Sequence, residues 1–295
     1  MNSEFSSYTV SIISVCLCSL VGVACSQGGV QSGGYPILFI CLIITFLLQW
    51  LIFIPSFLWE TERFYDLTGS FTFLLITNTA LHFKSNIHGT GADTRSIILC
   101  ALVSIWALRL GGFLLMRVYR VGEDRRFRDW KKSFPLFFRT WTLQGMWVFI
   151  TPLTALTAIT SPKITSIDWT LYLGSLVWLC GFVTEVVADI QKSRFKSDEK
   201  NKNKFIKSGL WSISRHPNYL GEIILWIGIS IISFPVLAGW QYLSLISPVF
   251  VYLLLTKVSG IPILESNAEK KWGKGKDYQA YIKNTPRLFP KRVNI

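Results

Sequence analysis

Pro36-Ile-Leu-Phe-Ile-Cys-Leu-Ile-Ile-Thr-Phe-Leu-Leu-Gln-Trp-Leu-Ile-Phe-Ile-Pro-Ser-Phe-Leu58 runs for 23 residues without a charge. As a helix it reaches about 35 Å at 1.5 Å per residue, enough to cross a hydrocarbon layer of about 30 Å. Working outward, seven similar runs appear at 8–26, 66–82, 96–118, 141–160, 167–189, 217–236 and 240–258. The third run in chain order is short and the last two are closely joined, so the expectation is seven or eight spans. Composition agrees. Hydrophobic residues make up 51% of the 295 residues and charged residues only 16%, against about 25% charged in an ordinary soluble domain. A chain this apolar neither stays disordered nor hides its surface in one soluble core. The reading is an all-α, polytopic transmembrane helical bundle, one integral membrane domain over 1–295.

The charges are unbalanced, with 30 Lys and Arg against 17 Asp and Glu. Counted over alternate loops, 26 cations fall on one side (Arg63 and the stretches 117–139, 192–215 and 257–292). Three fall on the other (Lys84, Arg95 and Lys163), with Arg109 inside a span. Cations gather on cytosolic loops, so the basic side is expected there, with both termini if the spans number eight. No Lys or Arg precedes the first apolar run, which is unlike a secretory signal. The six cysteines all lie in apolar runs and read as small hydrophobes. The three histidines (His82, His88 and His216) are too scattered for a metal site, and so deep a membrane protein is a poor partner for nucleic acid.

Ionisable groups within spans are costly and tend to face a bundle interior or an aqueous cavity. Asp66 opens the third span just after Glu60, Glu62 and Arg63. Arg109 lies roughly 13 Å from the cytosolic end of its helix. Gln144 is one turn into the fifth span; Glu185 and Asp189, four residues apart, share one face of the sixth. Glu222 lies about a turn and a half into the seventh. Each could be an interhelical hydrogen-bonding group. Gathered in one leaflet beneath the basic loops, they predict a polar cavity open to the cytosol.

The sharpest local pattern is Ser214-Arg215-His216-Pro217-Asn218-Tyr219-Leu220-Gly221-Glu222. Pro217 suits the first turn of a helix, where its missing N–H costs nothing. That turn offers free N–H groups and a positive dipole end beside Arg215 and His216, a setting that attracts phosphate or carboxylate. Asn218, Tyr219 and Glu222 converge on neighbouring faces, and Gly221 permits close approach of a flat group or another helix.

These residues resemble the DUF1295 family, within the superfamily of steroid 5α-reductase C-terminal domains. The resemblance rests on Glu185…Ala188-Asp189…Gln191-Lys192…Phe195-Lys196, on Gly209-Leu210-Trp211, and on the Ser214–Glu222 pattern with Trp226. Further matches are Phe64-Tyr65-Asp66-Leu67-Thr68-Gly69-Ser70, Trp106…Arg109-Leu110-Gly111, Arg117…Gly122…Asp124…Arg126-Phe127, Ser259-Gly260-Ile261-Pro262…Leu264-Glu265 and the closing Tyr278…Tyr281…Thr285…Pro290. The steroid-reductase-like core is expected over 96–290.

The resemblance implies an oxidoreductase that holds NADPH in a cytosol-facing cavity and passes hydride to a conjugated double bond of a lipid or sterol-like substrate. It assigns Asn218, Tyr219 and Glu222 to the cofactor, with Asp189, Glu185, Lys192, Lys196, Arg215, His216, Tyr278 and, by a looser match, Arg109 and Arg120. The substrate end departs from the family. The position of the reductases' carbonyl-gripping Tyr holds Trp106, whose indole donates a hydrogen bond but is no proton-donating acid. Glu62, Tyr65 and Asp66, with Glu60, are the acids that can replace it. An alternative is a membrane methyltransferase of the isoprenylcysteine or phospholipid type that uses S-adenosylmethionine. Such enzymes share the Arg-His-Pro-x-Tyr-x-Gly signature and carry a later acidic pair, matched partly by Leu264-Glu265-Ser266. The basic loops favour a cofactor rich in phosphate. A lipid-binding or scaffold protein is the third reading. The endoplasmic reticulum is the expected membrane, with Lys291-Arg292-Val293-Asn294-Ile295 as a weak retention signal.

Overall fold

The computed structural model describes residues 2–88, 91–121 and 127–290. These are overwhelmingly helical. The exception is a two-residue hairpin, β1 (Gln31–Ser32) and β2 (Tyr35–Pro36), paired antiparallel. Its turn residues Gly33 and Gly34 have φ of +58° and +84°, values that glycine adopts without a Cβ clash.

Among the described residues, six helical stretches are long and apolar enough to cross a membrane: Glu4–Ser26, Ile37–Leu58, Thr94–Met116, Trp169–Ser197, Pro217–Val236 and Gly239–Trp272. A seventh arises if Phe134–Ile150 and Leu153–Ile159, bent by 50°, form one broken span. The chain is therefore an integral membrane protein with six to seven candidate spans among the described residues, against the seven or eight expected. The expected span that is not among them is Tyr65–His88. It is long enough as a helix, but Asp66, Thr68, Ser70, Thr72, Thr77, Asn78 and Lys84 dilute its apolar content. The expected span 141–160 breaks at Thr151–Pro152, where proline removes a backbone donor from the ladder.

The chain divides into two compact units. Unit 1 comprises Met1–Leu171 and Ile232–Ser247. It contains α1 (Asn2–Ser26), α2 (Ile37–Leu58), α3 (Tyr65–His88), α4 (Thr94–Val121), α5 (Phe134–Ile150) and α6 (Leu153–Ile159). Every residue of α6 is buried, so this short helix is core rather than lipid-facing surface. Phe53, Phe127, Phe137 and Trp141 form a buried aromatic cluster, packed against Tyr65 and Trp130. Polar contacts join the helices. Gln49 donates to Thr72 Oγ1 at 2.9 Å, Trp50 to Thr142 Oγ1 at 3.2 Å and Gln144 to the Tyr65 carbonyl at 2.7 Å.

Elsewhere in unit 1, Lys84 and Arg95 are almost wholly withdrawn from water. Lys84 Nζ meets Asp93 at 2.6 Å and Ser96 at 2.9 Å. Arg95 reaches Asp168 at 3.1 Å, the Ile232 carbonyl at 2.6 Å, and the hydroxyls of Thr165 and Thr170. The sequence count treats both as loop charges; the structure makes them buried staples between chain segments.

Unit 2 comprises Tyr172–Ile231 and Pro248–Ile295. It holds most of α7 (Trp169–Ser197), then α8 (Leu210–Ile213), α9 (Pro217–Ser233), most of α10 (Ile246–Leu253), a π-helical turn at Leu254–Val258, α11 (Ile261–Trp272) and α12 (Lys276–Asn284). Helices α7 and α9 touch backbone to backbone. A Cβ on Gly221 would lie 2.6 Å from both the Glu185 nitrogen and the Gly181 oxygen, and one on Gly181 would lie 2.5 Å from the Leu225 nitrogen. The group that approaches Gly221 is thus a helix.

Candidate functional site

The start of α9 is set by what precedes it. Ser214 is extended and closes α8, and its hydroxyl accepts from the His216 N–H at 3.3 Å. The Arg215 N–H donates to the Pro286 carbonyl at 2.9 Å, and Pro217 then opens the helix. Arg215 and His216 are held here by one carboxylate, Glu265 on α11. Arg215 Nη1 meets Glu265 Oε1 at 2.9 Å, His216 Nε2 meets the same oxygen at 3.3 Å, and Arg287 Nε meets Oε2 at 3.1 Å.

The imidazole has a defined state. Burial pushes the His216 pKa down, and the opposing pull of Glu265 does not cancel it. A carboxylate only accepts, so the neutral ring carries its proton on Nε2 and presents Nδ1 as an acceptor. His216 Nδ1 is buried without a partner, as are Asn218 Oδ1 and Arg215 Nε. One donor and two acceptors, on residues 215, 216 and 218, are thus left incomplete at the mouth of one helix. The His216 ring stacks on Tyr219, with centroids 5.8 Å apart and planes 12° from parallel. Gly260 lies close to the Tyr219 ring, where a Cβ would sit 3.0 Å from it.

The remaining candidates of unit 2 lie nearby on α7 or scatter. Glu185 and Asp189 are buried one turn apart on α7, and Glu222 is half-buried on α9. Lys192 lies over the Trp211 ring at 4.6 Å. Trp211 is fixed by donating its indole N–H to the Ala188 carbonyl at 3.1 Å and by accepting from the Tyr281 hydroxyl at 2.7 Å. Burial pushes the Tyr281 hydroxyl up to about 12, so it stays a donor. Lys196 is exposed near the end of α7. Tyr278 packs in an aromatic group with Phe205 and Trp272.

Unit 1 carries the others. Trp106 is fully buried, edge-on to Phe73 at 5.1 Å. Tyr65 donates its hydroxyl to the Thr140 carbonyl at 3.2 Å, and its ring packs on Phe127 and Trp141. Glu62 pairs with Lys131 at 3.0 Å. Asp66 lies in the first turn of α3, and Arg109 lies over Phe113 at 5.6 Å. Arg120 and the Gly122…Arg126 part of the family pattern fall outside the residues whose side chains are described.

Sequence reasoning gave Glu265 only as half of an acidic pair and did not select Arg287. Both belong to the ion-paired group at α9. The available signal was Glu265 itself, an acid four residues into a helix opened by Gly260-Ile261-Pro262 in an otherwise basic tail.

What these features define is an all-α integral membrane protein with a partly completed polar site at a helix start. The profile of the family described as "Protein of unknown function (DUF1295)" matches residues 52–285, and the chain belongs to that family. A shorter stretch is similar to the "Probable O-methyltransferase ustE" of Ustilaginoidea virens, 38% identical over 63 residues. That match covers 21% of this chain and 22% of the fungal protein.

Proposed function

We propose that the protein is a membrane oxidoreductase that binds NADPH at the start of α9 and reduces a conjugated double bond in a lipid or sterol-like substrate. The observation that carries this reading is the group of buried, unpartnered atoms Arg215 Nε, His216 Nδ1 and Asn218 Oδ1. Leaving such atoms unpaired costs about 1–3 kcal/mol each, a cost that a ligand with matching donors and acceptors removes. A dinucleotide matches in kind. Asn218 and His216 would accept from its carboxamide or ribose hydroxyls, and Arg215 would donate to its phosphates, with Lys192 and Lys196 adding positive charge. Glu185, Asp189 and Glu222 offer carboxylates to hydroxyl groups. Bound there, NADPH supplies hydride. The chain's own part is to fix the imidazole tautomer through Glu265 and to hold Tyr219 against His216. An endoplasmic reticulum membrane fits this chemistry.

A second reading, methyl transfer from S-adenosylmethionine to a lipid, is favoured by two observations. One is the similarity to a probable O-methyltransferase. The other is the burial of Trp106, the residue at the reductases' substrate-gripping position. The two unpartnered acceptors suit an ammonium as well as a carboxamide. Thermal shifts of the detergent-purified protein with NADPH, NADH and S-adenosylmethionine separate the readings. A ligand at 100 times its Kd stabilises by about 2.7 kcal/mol if it binds only the folded state. The proposal expects a shift with NADPH that exceeds that with NADH. A shift with S-adenosylmethionine alone replaces it by the second reading, and no shift with any of the three leaves a lipid-binding or scaffold protein.

A further inference from the structure

We propose that unit 2 carries a second site, bordering the α9 start through Tyr278: a pocket for an anion with clustered phosphates, formed by Lys204, Lys207, Lys270, Lys271 and Lys274. These residues surround a cavity of about 570 Å³, within the range of about 300–1,000 Å³ that small ligands occupy. Asp277 is the one carboxylate in the lining, and Glu269 lies just behind the lining residues Gly273 and Tyr278, so five lysines against two carboxylates leave an excess of three positive charges. Asp277 is also poorly engaged, 3.9 Å from Lys207 with both side chains exposed. Among the described residues, Lys204, Lys270, Lys271 and Lys274 have no carboxylate partner. Solvated lysines normally spread apart, because like charges repel; a concave surface that gathers them is stabilised when an anion enters.

The rest of the pocket suits a ligand rather than open solvent. Its floor is aromatic: Phe205 lies 5.7 Å from Trp272 and 5.2 Å from Tyr278, centroid to centroid. The Lys271 ammonium lies 4.9 Å over Trp272, and the Trp272 indole N–H donates to the Asn203 carbonyl, which fixes the loop that carries Lys204. Helix α12 begins at the rim, and its extended N-cap residue Gly275 provides no side-chain cap. The cations are all lysines, point charges on flexible stems, which suit phosphate groups better than the planar pairing that arginine gives.

Two sources provide that chemistry. Phe195 and Trp272, both in the lining, are near or at the ends of the candidate spans Trp169–Ser197 and Gly239–Trp272. Both lie on polar extensions beyond the apolar runs 167–189 and 240–258. The pocket is thus built from the basic segments that follow two candidate spans, and basic pockets next to a membrane take phosphorylated lipid headgroups. A soluble nucleotide polyphosphate carries the same groups with a base for the aromatic floor.

The test uses the full chain in detergent with three probes: inorganic pyrophosphate, dioctanoyl phosphatidylinositol bisphosphate and ATP. Binding is compared among wild type, a pocket variant (Lys204→Gln, Lys270→Gln, Lys271→Gln) and a variant of equal charge with exposed lysines changed elsewhere (Lys163→Gln, Lys200→Gln, Lys283→Gln). Wild type should bind pyrophosphate and, more tightly, one of the other two. The pocket variant should weaken that binding by about tenfold or more, since a hydrogen bond to a charged group contributes that much. The control should change by less than about threefold, as expected for screened surface charges. Tighter binding of the lipid assigns the headgroup as source, and tighter binding of ATP assigns the nucleotide. Amine labelling of wild type with and without pyrophosphate gives a second reading that needs no variant, with Lys204, Lys270 and Lys271 protected and Lys163, Lys200 and Lys283 not. Failure of all three probes to bind, equal weakening in both variants, or uniform labelling would overturn the proposal.

Discussion

Lys84 and Arg95 in unit 1 and Arg215 and His216 in unit 2 are all nitrogen-bearing side chains largely removed from water, yet only the first pair is finished. Arg95 meets a carboxylate, two hydroxyls and two carbonyls, and Lys84 meets Asp93 and Ser96. Around Arg215 and His216, Glu265 takes one atom of each and leaves Arg215 Nε and His216 Nδ1 with nothing. Buried polar groups are almost always paired. Single open atoms occur elsewhere, as at Gln49 and Gln144, which join helices. What sets the α9 start apart is that three open atoms lie together on residues 215, 216 and 218.

The largest effect should come from breaking a finished network. Arg95→Met leaves Asp168 without its cation and empties the Ile232 carbonyl. Asp168 is about one-third exposed and can turn to water, but the buried Ile232 carbonyl and Thr170 hydroxyl lose their donor. An unsatisfied buried group costs about 1–3 kcal/mol, so the variant should melt well below wild type, read by thermal unfolding in detergent. A loss under about 1 kcal/mol, the size of an exposed pair, would remove the distinction. Next is the helix contact that carries the α9 start. Gly221→Ala places a methyl against the α7 backbone, and overpacking of this kind costs about 1–3 kcal/mol. Unchanged stability there would mean that α7 and α9 are not in backbone contact.

Acid should distinguish the two regions more gently. Asp168 is held at about 2, first by the Thr170 hydroxyl and then, against some burial, by Arg95. For Asp93, burial pushes upward, but Lys84 and Ser96 together hold it below its usual value. Carboxyls depressed by folding contribute stability that is present above their unfolded pKa, about 3.9, and lost as pH falls toward the folded values. His216 is depressed as well, but as a base. Its unfolded form takes a proton first, so stability falls as pH drops below about 6.5. Wild type should therefore lose stability in two windows, by no more than about 1.4 kcal/mol per unit of pKa shift for the histidine. In His216→Gln the loss just below pH 6.5 should disappear and the acid limb persist. A melting profile of the variant that overlays wild type through both windows would show that His216 is not buried neutral.

Much of this was legible in the sequence, for identifiable reasons. The run 36–58 reappears as Ile37–Leu58, because an unbroken apolar stretch reports helix and membrane at once. The run 167–189 became Trp169–Ser197. Hydropathy senses lipid rather than helix, so it stopped where the polar extension bearing Gln191, Lys192 and Lys196 began. Pro152 broke a span that composition read as continuous. The Ser214–Glu222 stretch was recognisable as a helix start with chemistry on it, since capping and dipole rules are local. Glu265 lies 49 residues from His216 and Asp168 lies 73 from Arg95. Pairing over such separations has no period, so the fold alone reveals which charges are completed and which are left open.

The central claim is that the open atoms at α9 await a ligand. Asn218→Ala tests it most directly, because it removes an acceptor that no protein group uses. Apo thermal stability and NADPH affinity should be measured on the same preparation. The account predicts a melting temperature equal to or slightly above wild type, with NADPH affinity weakened by about 1–3 kcal/mol, roughly five- to 150-fold. A variant that loses apo stability while binding NADPH as wild type does would contradict it, and Asn218 would then belong with Lys84 and Arg95 among the residues that hold the fold.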